Sequence, residues 1–121
     1  MSALKEKING LVNQIASIEG IETCALISRD GVLLGKKTVS NFNETWFAAM
    51  CATILASAES VAVIMKTELP SHVTIQTPDG SIIIIRSGDK LFIAAYVSNS
   101  AENEELYGAL YAVAEEITGS F

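Results

Sequence analysis

Three segments of the chain repeat apolar residues at steps of three and four, the period of an amphipathic helix. The first covers residues 3–18 and ends before Gly20, a residue that often follows a helix. The middle segment ends near Met65, and Asn41 or Asn43 can cap its start. The last helix has Ser100 as a candidate cap. The apolar positions of the outer two helices are Leu4, Ile8, Leu11, Ile15 and Ile18, and then Leu106, Leu110, Val113 and Ile117.

Five runs of β-branched or apolar residues lie between these helices and predict strands. They cover residues 21–28, 32–37, 72–77, 81–87 and 91–98. Short turns rich in Asp and Gly join neighbouring runs as hairpins. The predicted order is therefore α-β-β-α-β-β-β-α, an α/β (α+β) fold. With 121 residues, we expect a single domain over residues 1–121.

The strand runs differ in a way that predicts their places in a sheet. Residues 82–85 and 91–97 are continuously apolar, as expected of central strands that are covered on both faces. Residues 72–77 instead alternate apolar and polar side chains, and they carry neither a lysine nor a bulge signal that would protect an edge. We therefore expect an edge strand there, with His72, Thr74 and Gln76 available to a second copy of the chain.

The middle helix sorts its side chains by size when drawn at about 100° per residue. Its large residues are Trp46, Phe47, Met50, Ile54, Val61, Ile64 and Met65. Its opposite side carries Ala48, Ala49, Ala52, Ala56, Glu59, Ser60 and Val63. Small side chains let two helices approach closely, so this side predicts a helix contact in a dimer. The alternative is that the alanines are present only because alanine has a high helix propensity. The helix and the edge strand are neighbours in sequence, so one two-fold interface could use both.

Composition and charge narrow the class of partner. Half of the residues are hydrophobic. The net charge is -6, and this negative charge opposes binding to nucleic acid. Cys24 and Cys51 have no paired spacing, and we expect a protein of the reducing cytoplasm. Residues 46–65 are long enough to span a bilayer, but much of the run is alanine and Glu59 lies within it. We favour a buried helix and expect no direct membrane insertion.

The sequence offers few residues for catalysis. His72 is its only histidine, and no zinc, calcium or serine-hydrolase motif is present. We therefore expect no metal, no cofactor and no enzymatic activity. Arg29 lies at a hairpin tip, where it is either a solvated turn charge or an arginine that acts on a partner's nucleotide.

Taken together, these segments resemble a known family. Residues 20–34, the alanine-rich middle helix, and residues 78–85 followed by 91–94 are similar to the Roadblock/dynein light chain family. The resemblance implies a five-stranded antiparallel sheet, with the first and last helices on one face and the middle helix on the other. It also implies a dimer through the middle helix and third strand. Those interface positions are Ala49, Ala52, Ala56, Glu59, Val63, His72, Thr74 and Gln76.

The same resemblance implies a function in protein–protein interaction. Members of the family regulate or scaffold small Ras-like GTPases, and others are adaptor subunits of motor or signalling complexes. We therefore expect a homodimer that binds a Ras-like GTPase, with a structural adaptor as the alternative. The expected partner contact comprises Asn43, Glu44, Trp46 and Phe47, although anchoring of the core is the slightly favoured interpretation for Trp46 and Phe47. The acidic entry to the last helix departs from the family pattern and leaves partner choice at that end open.

Overall fold

The computed structural model describes residues 2–121. Its elements follow the predicted order. They are α1 (Ala3–Ala16), β1 (Ile21–Ser28), β2 (Leu33–Thr38), α2 (Glu44–Ile64), β3 (His72–Gln76), β4 (Gly80–Ser87), β5 (Leu91–Ser98), a 3₁₀ turn (Asn99–Ala101) and α3 (Glu104–Ser120). The predicted fold class is thereby confirmed.

All five strands form one antiparallel sheet in the order β2-β1-β5-β4-β3. Strands β4 and β5 are interior, and β3 is at an edge, as their apolar patterns predict. A bulge between β1 and β2 leaves Leu34 without a partner opposite it, because Leu26 faces Gly35 and Ile27 faces Leu33.

Local signals explain where the elements begin and end. The Asn43 side chain accepts a hydrogen bond from the Trp46 backbone N–H at 3.0 Å, which fixes the first turn of α2. The predicted cap Ser100 is wrong for α3, because the chain first makes the 3₁₀ turn and Asn103 then caps the helix. The Asn103 side chain accepts from the Leu106 N–H at 2.9 Å.

The core has two layers, one on each face of the sheet. Helices α1 and α3 cover one face, where Ile15, Leu110 and Ile117 are fully buried. Helix α2 covers the other face and buries Leu55 against the strands. Burial of this apolar surface is the main stabilising contribution to the fold.

Helix α2 is long and apolar enough, by length and composition, to cross a membrane. Its inner residues Cys51, Ala52 and Leu55 belong to the core cluster that includes Phe92 of β5. A membrane-spanning position would therefore remove α2 from the sheet and expose that side of the core.

Candidate interaction surface

Strand β3 offers a free backbone edge, because it pairs with β4 on one side only. Val73 and Ile75 pack in the layer of α2. His72, Thr74 and Gln76 alternate with them and share the opposite face. The structure thus places these three predicted interface residues together on an edge strand, as expected.

The polar face of β3 is bound to α3 within the chain. The hydroxyls of Thr74 and Tyr107 are 2.8 Å apart. Tyr107 donates to Glu102 Oε2 at 2.7 Å, and Ser81 donates to Glu102 Oε1 at 2.6 Å. These hydrogen bonds from Ser81 and Tyr107 lower the pKa of the Glu102 carboxyl. Burial is the main reason that the pKa of Tyr107 is raised.

A second tyrosine anchors the start of β3. The Tyr111 hydroxyl is hydrogen-bonded to His72 Nδ1 and lies 2.8 Å from the Ser71 hydroxyl. The two tyrosines lie one helical turn apart on α3, which allows both to reach the same strand. The hydroxyls of both tyrosines are therefore used within the chain, where they tie β3 to α3.

The faces of helix α2 require a correction. Its small residues Ala48 and Ala52 are buried against the sheet, whereas a partner-facing surface had been expected at Ala52. The physical reason is that the sheet beneath carries Ile84 and Phe92, and small helix residues allow close packing over them. Most of the large residues are instead left exposed: Trp46, Met50, Val61, Ile64 and Met65.

One side of α2, here called the hairpin flank, comprises Ala49, Ala52, Ala56 and Val63. Its N-terminal part, formed by Ala49 and Ala52, borders the turn between β1 and β2. A Cβ atom at Gly31 would lie 3.3 Å from the Ala49 Cα and 3.6 Å from the Ala52 Cβ. Ala49 and Ala52 therefore make room for a turn of the same chain.

The other side of α2, here called the β3 flank, comprises Met50, Ile54, Val61 and Met65. Val61 and Met65 line an open groove whose far wall is formed by His72 and Val73. Helix α2 thus lies between two parts of the predicted interface. The β3 residues border the β3 flank, while the alanines predicted with them lie on the hairpin flank.

Glu59, which was also predicted at the interface, is bound within the chain. Its carboxylate pairs with Arg29, and Arg86 Nε lies 3.1 Å from Glu59 Oε2. The side chain of Glu59 is only 14% exposed. Arg86 also pairs with Asp89 at 3.1 Å. Arg29 is therefore held in an ion pair, rather than being a solvated turn charge or a free arginine.

The four residues expected to contact a partner lie together at the start of α2. Asn43 caps the helix, and Glu44 forms an ion pair with Lys36. Phe47 is half-buried and packs on the core, so it serves as an anchor. Trp46 is 64% exposed, so of these four it is the residue with a large apolar side chain available to another molecule.

Among residues 2–121, no group of three or more His, Cys, Asp or Glu side chains is placed to hold a metal ion. Burial raises the pKa of both the Cys24 and Cys51 thiols to about 11, which keeps them protonated near neutral pH.

Comparison with known proteins agrees with this fold. MglB from Myxococcus xanthus has a TM-score of 0.91 and 15% identity, with 100% of this chain and 92% of that chain covered. The gliding protein MglB from Thermus thermophilus has a TM-score of 0.87 and 14% identity, over 98% and 91% of the two chains. A Roadblock/LC7 domain from Streptomyces avermitilis has a TM-score of 0.81 and 14% identity, over 98% of each. No curated protein sequence matches the chain.

A family model described as the Roadblock/LC7 domain matches residues 7–96, which run from within α1 through most of β5. The match covers well over half of the chain, and the resemblance seen in its turns and apolar strands is confirmed. The chain belongs to the Roadblock/LC7 family.

Proposed function

We propose that this chain is a non-enzymatic regulator or scaffold that works as a dimer and binds a small Ras-like GTPase. The observation that carries the proposal is the row of large apolar side chains exposed on α2 beside the free edge of β3. Surfaces of this kind mark sites of protein–protein contact. The class of partner comes from membership of the Roadblock/LC7 family. The resemblance of the sequence to this family implied regulation of a small Ras-like GTPase.

The partner contact is proposed at the start of α2, centred on Trp46. Large, rigid aromatic side chains contribute strongly to protein interfaces when a partner buries them. Trp46 is 64% exposed, whereas Phe47 beside it is held by the core. A partner that covers Trp46 would therefore gain apolar burial without disturbing the fold.

The effect on the GTPase would be a shift of its conformational population. A surface that prefers one switch conformation changes hydrolysis or exchange only through its different affinities for the two states. An arginine supplied by this chain is not needed for this mechanism. Both of its arginines are already paired with Glu59.

Binding to nucleotide-loaded GTPase tests the proposal. The full chain would be mixed with candidate Ras-like GTPases loaded with GDP or with a GTP analogue, and complexes would be separated by size-exclusion chromatography with light scattering. We expect retention of one nucleotide form in preference to the other. Equal affinity for both forms would favour the structural adaptor, and no binding to any candidate would contradict the GTPase proposal.

A single substitution locates the contact. Trp46→Ala should weaken GTPase binding about thirtyfold or more, since truncating a tryptophan at the centre of an interface costs about 2 kcal/mol or more. Phe121→Ala is the matched control, because Phe121 is another exposed aromatic residue, at the end of α3 on the opposite face of the sheet. Equal weakening by both variants would place the contact elsewhere.

A further inference from the structure

We propose that a groove between the end of α1 and the start of α3 docks a segment of a partner protein that is rich in arginine or lysine. This α1–α3 groove has a volume of about 670 Å³. Its walls include Ser17, Ile18, Glu19, Glu105, Leu106 and Ala109. The groove lies in the layer of α1 and α3, whereas the proposed GTPase contact and the β3 flank belong to α2. The inference therefore goes beyond the proposed function and does not depend on it.

The α1–α3 groove is already formed in the single chain. Gly20 has a φ of 98°, a conformation that side chains other than glycine rarely adopt. A Cβ atom there would lie 2.5 Å from the Ala101 Cβ, so the connection after α1 and the 3₁₀ turn meet directly at the groove. Ile18 and Leu106 pack in the core cluster beneath. A ligand therefore meets walls that need little ordering, which reduces the entropic cost of binding.

The charge around the groove is negative and uncompensated. Residues 8–28 and 91–121 contain glutamates but no lysine, arginine or histidine. Among residues 2–121, Glu19 and Glu105 take part in no ion pair. Lys37 reaches α1 at Asn13, where it donates to the side-chain oxygen at 3.5 Å, but it contacts neither of these carboxylates. A cationic segment would therefore find complementary charge that the chain itself does not satisfy.

Helix stability accounts for one of these two carboxylates but not for the other. Glu105 lies in the first turn of α3, where a negative charge stabilises the helix N-terminus without any partner. Glu19 instead follows the C-terminus of α1, which carries partial negative charge and has no basic residue in its last turn. A carboxylate is unfavourable beside that helix end. A bound cation would offset both the charge of Glu19 and the dipole of α1.

The mixture of apolar and acidic walls suits the side chains of arginine and lysine. These side chains pack their aliphatic stems on apolar surface and keep the charged group in water. Ile18, Leu106 and Ala109 offer the apolar surface, and the exposed carboxylates of Glu19 and Glu105 lie among them. An acidic segment would be repelled, and a purely apolar one would leave the carboxylates without partners. Because the carboxylates are exposed, we expect the affinity to fall as salt is added.

Peptide binding to the full chain tests this proposal. The probe is a short fluorescein-labelled peptide of alternating arginine and alanine, and the control peptide carries glutamate in place of arginine. Each would be titrated with the full chain, and fluorescence anisotropy would measure binding at physiological ionic strength. We expect saturable binding of the arginine peptide and no binding of the glutamate peptide.

Two pairs of variants locate the site. Ala109→Leu fills the groove without changing the charge, and Ala112→Leu is its matched control, because Ala112 is exposed on the same helix but does not line the groove. Glu19→Lys reverses a charge at the groove outside any helix, and Glu115→Lys makes the same change at an exposed position farther along α3. Circular dichroism would confirm that each variant is folded.

Ala109→Leu should weaken binding of the arginine peptide about tenfold or more, and Ala112→Leu less than about twofold. Glu19→Lys should weaken it at least about fivefold more than Glu115→Lys does. The proposal is overturned if the arginine peptide does not bind, or if Ala109→Leu has no effect. Equal weakening by Glu19→Lys and Glu115→Lys would also overturn it, because binding would then reflect general attraction to an acidic protein. GTPase binding and dimer mass are measured separately, so their failure would leave this proposal standing.

Discussion

The two flanks of helix α2 differ in what covers them. On the hairpin flank, Ala49 and Ala52 pack against the turn at Gly31. On the β3 flank, Val61 and Met65 remain exposed although they are larger and more hydrophobic. Ala49 and Ala52 thus mark where the chain packs closely on itself, while the exposed side chains of the β3 flank form the surface proposed for another molecule.

The edges of the sheet differ in a similar way. Strand β2 carries Lys36 and Lys37 and has a bulge, features that discourage pairing with another chain. Strand β3 has neither, and its His72 and Thr74 side chains are anchored to α3. The unprotected edge and the uncovered flank of α2 are adjacent, which favours one interface that covers both.

The largest expected effect comes from placing a charge on the β3 flank. Val61→Glu should raise the dimer dissociation constant by at least about a hundredfold, because burying an unpaired carboxylate in an apolar interface costs several kcal/mol. Val61 is 59% exposed in the single chain, so the substitution should leave folding intact. Sedimentation analysis over a dilution series would measure the constant.

Val63→Glu is the matched control for this prediction. Val63 is 64% exposed, two residues away, and lies on the hairpin flank. We expect a change of less than about threefold in the dissociation constant, as for a charge outside the interface. If Val63→Glu separates the dimer and Val61→Glu does not, the assignment of the two flanks is reversed.

The second prediction tests the packing of the hairpin flank. Ala52→Leu should destabilise the fold by about 1–3 kcal/mol, because Ala52 is 8% exposed and added methyl groups would push against the turn. Ala56→Leu, on the same flank but exposed, should change stability by less than about 0.5 kcal/mol. Denaturant unfolding at fixed protein concentration would compare them. If Ala52→Leu left the stability unchanged but separated the dimer, the result would support the dimer contact through Ala52 that was first expected from the sequence.

The success of sequence reasoning depended on how local each signal was. The turn Arg29-Asp30-Gly31 was predicted correctly, and the cap at Asn43 was one of two predicted candidates, because their residues act within one or two turns of chain. The cap at Ser100 was wrong because a 3₁₀ turn intervenes before Asn103.

The candidate surface was predicted less well than the fold. The edge position of β3 followed from its alternating pattern and lack of lysine. The orientation of α2 did not, because that helix is apolar around most of its circumference and periodicity alone cannot choose its inner face. The choice depends on the shape of the sheet and on the Gly31 turn, which sequence does not give directly. The ion pairs of Glu59 and the contacts of Glu102 likewise join residues distant in sequence.

The smallest expected effect concerns how β3 is held from its polar face, and it appears as a pH dependence. Because Ser81 and Tyr107 donate to Glu102, the pKa of this carboxyl is lower in the folded state than its usual value of 4.5. The unfolded state then binds more protons in acid. The stabilisation is complete above the usual pKa and is lost as the pH falls through the folded pKa.

Glu102→Gln should therefore flatten the fall of the thermal midpoint below about pH 4.5, measured by circular dichroism. Tyr107→Phe should flatten it less, since Ser81 remains as a donor. An acid-induced fall as steep in Glu102→Gln as in the unsubstituted chain would show that this network does not contribute to the stability that anchors β3.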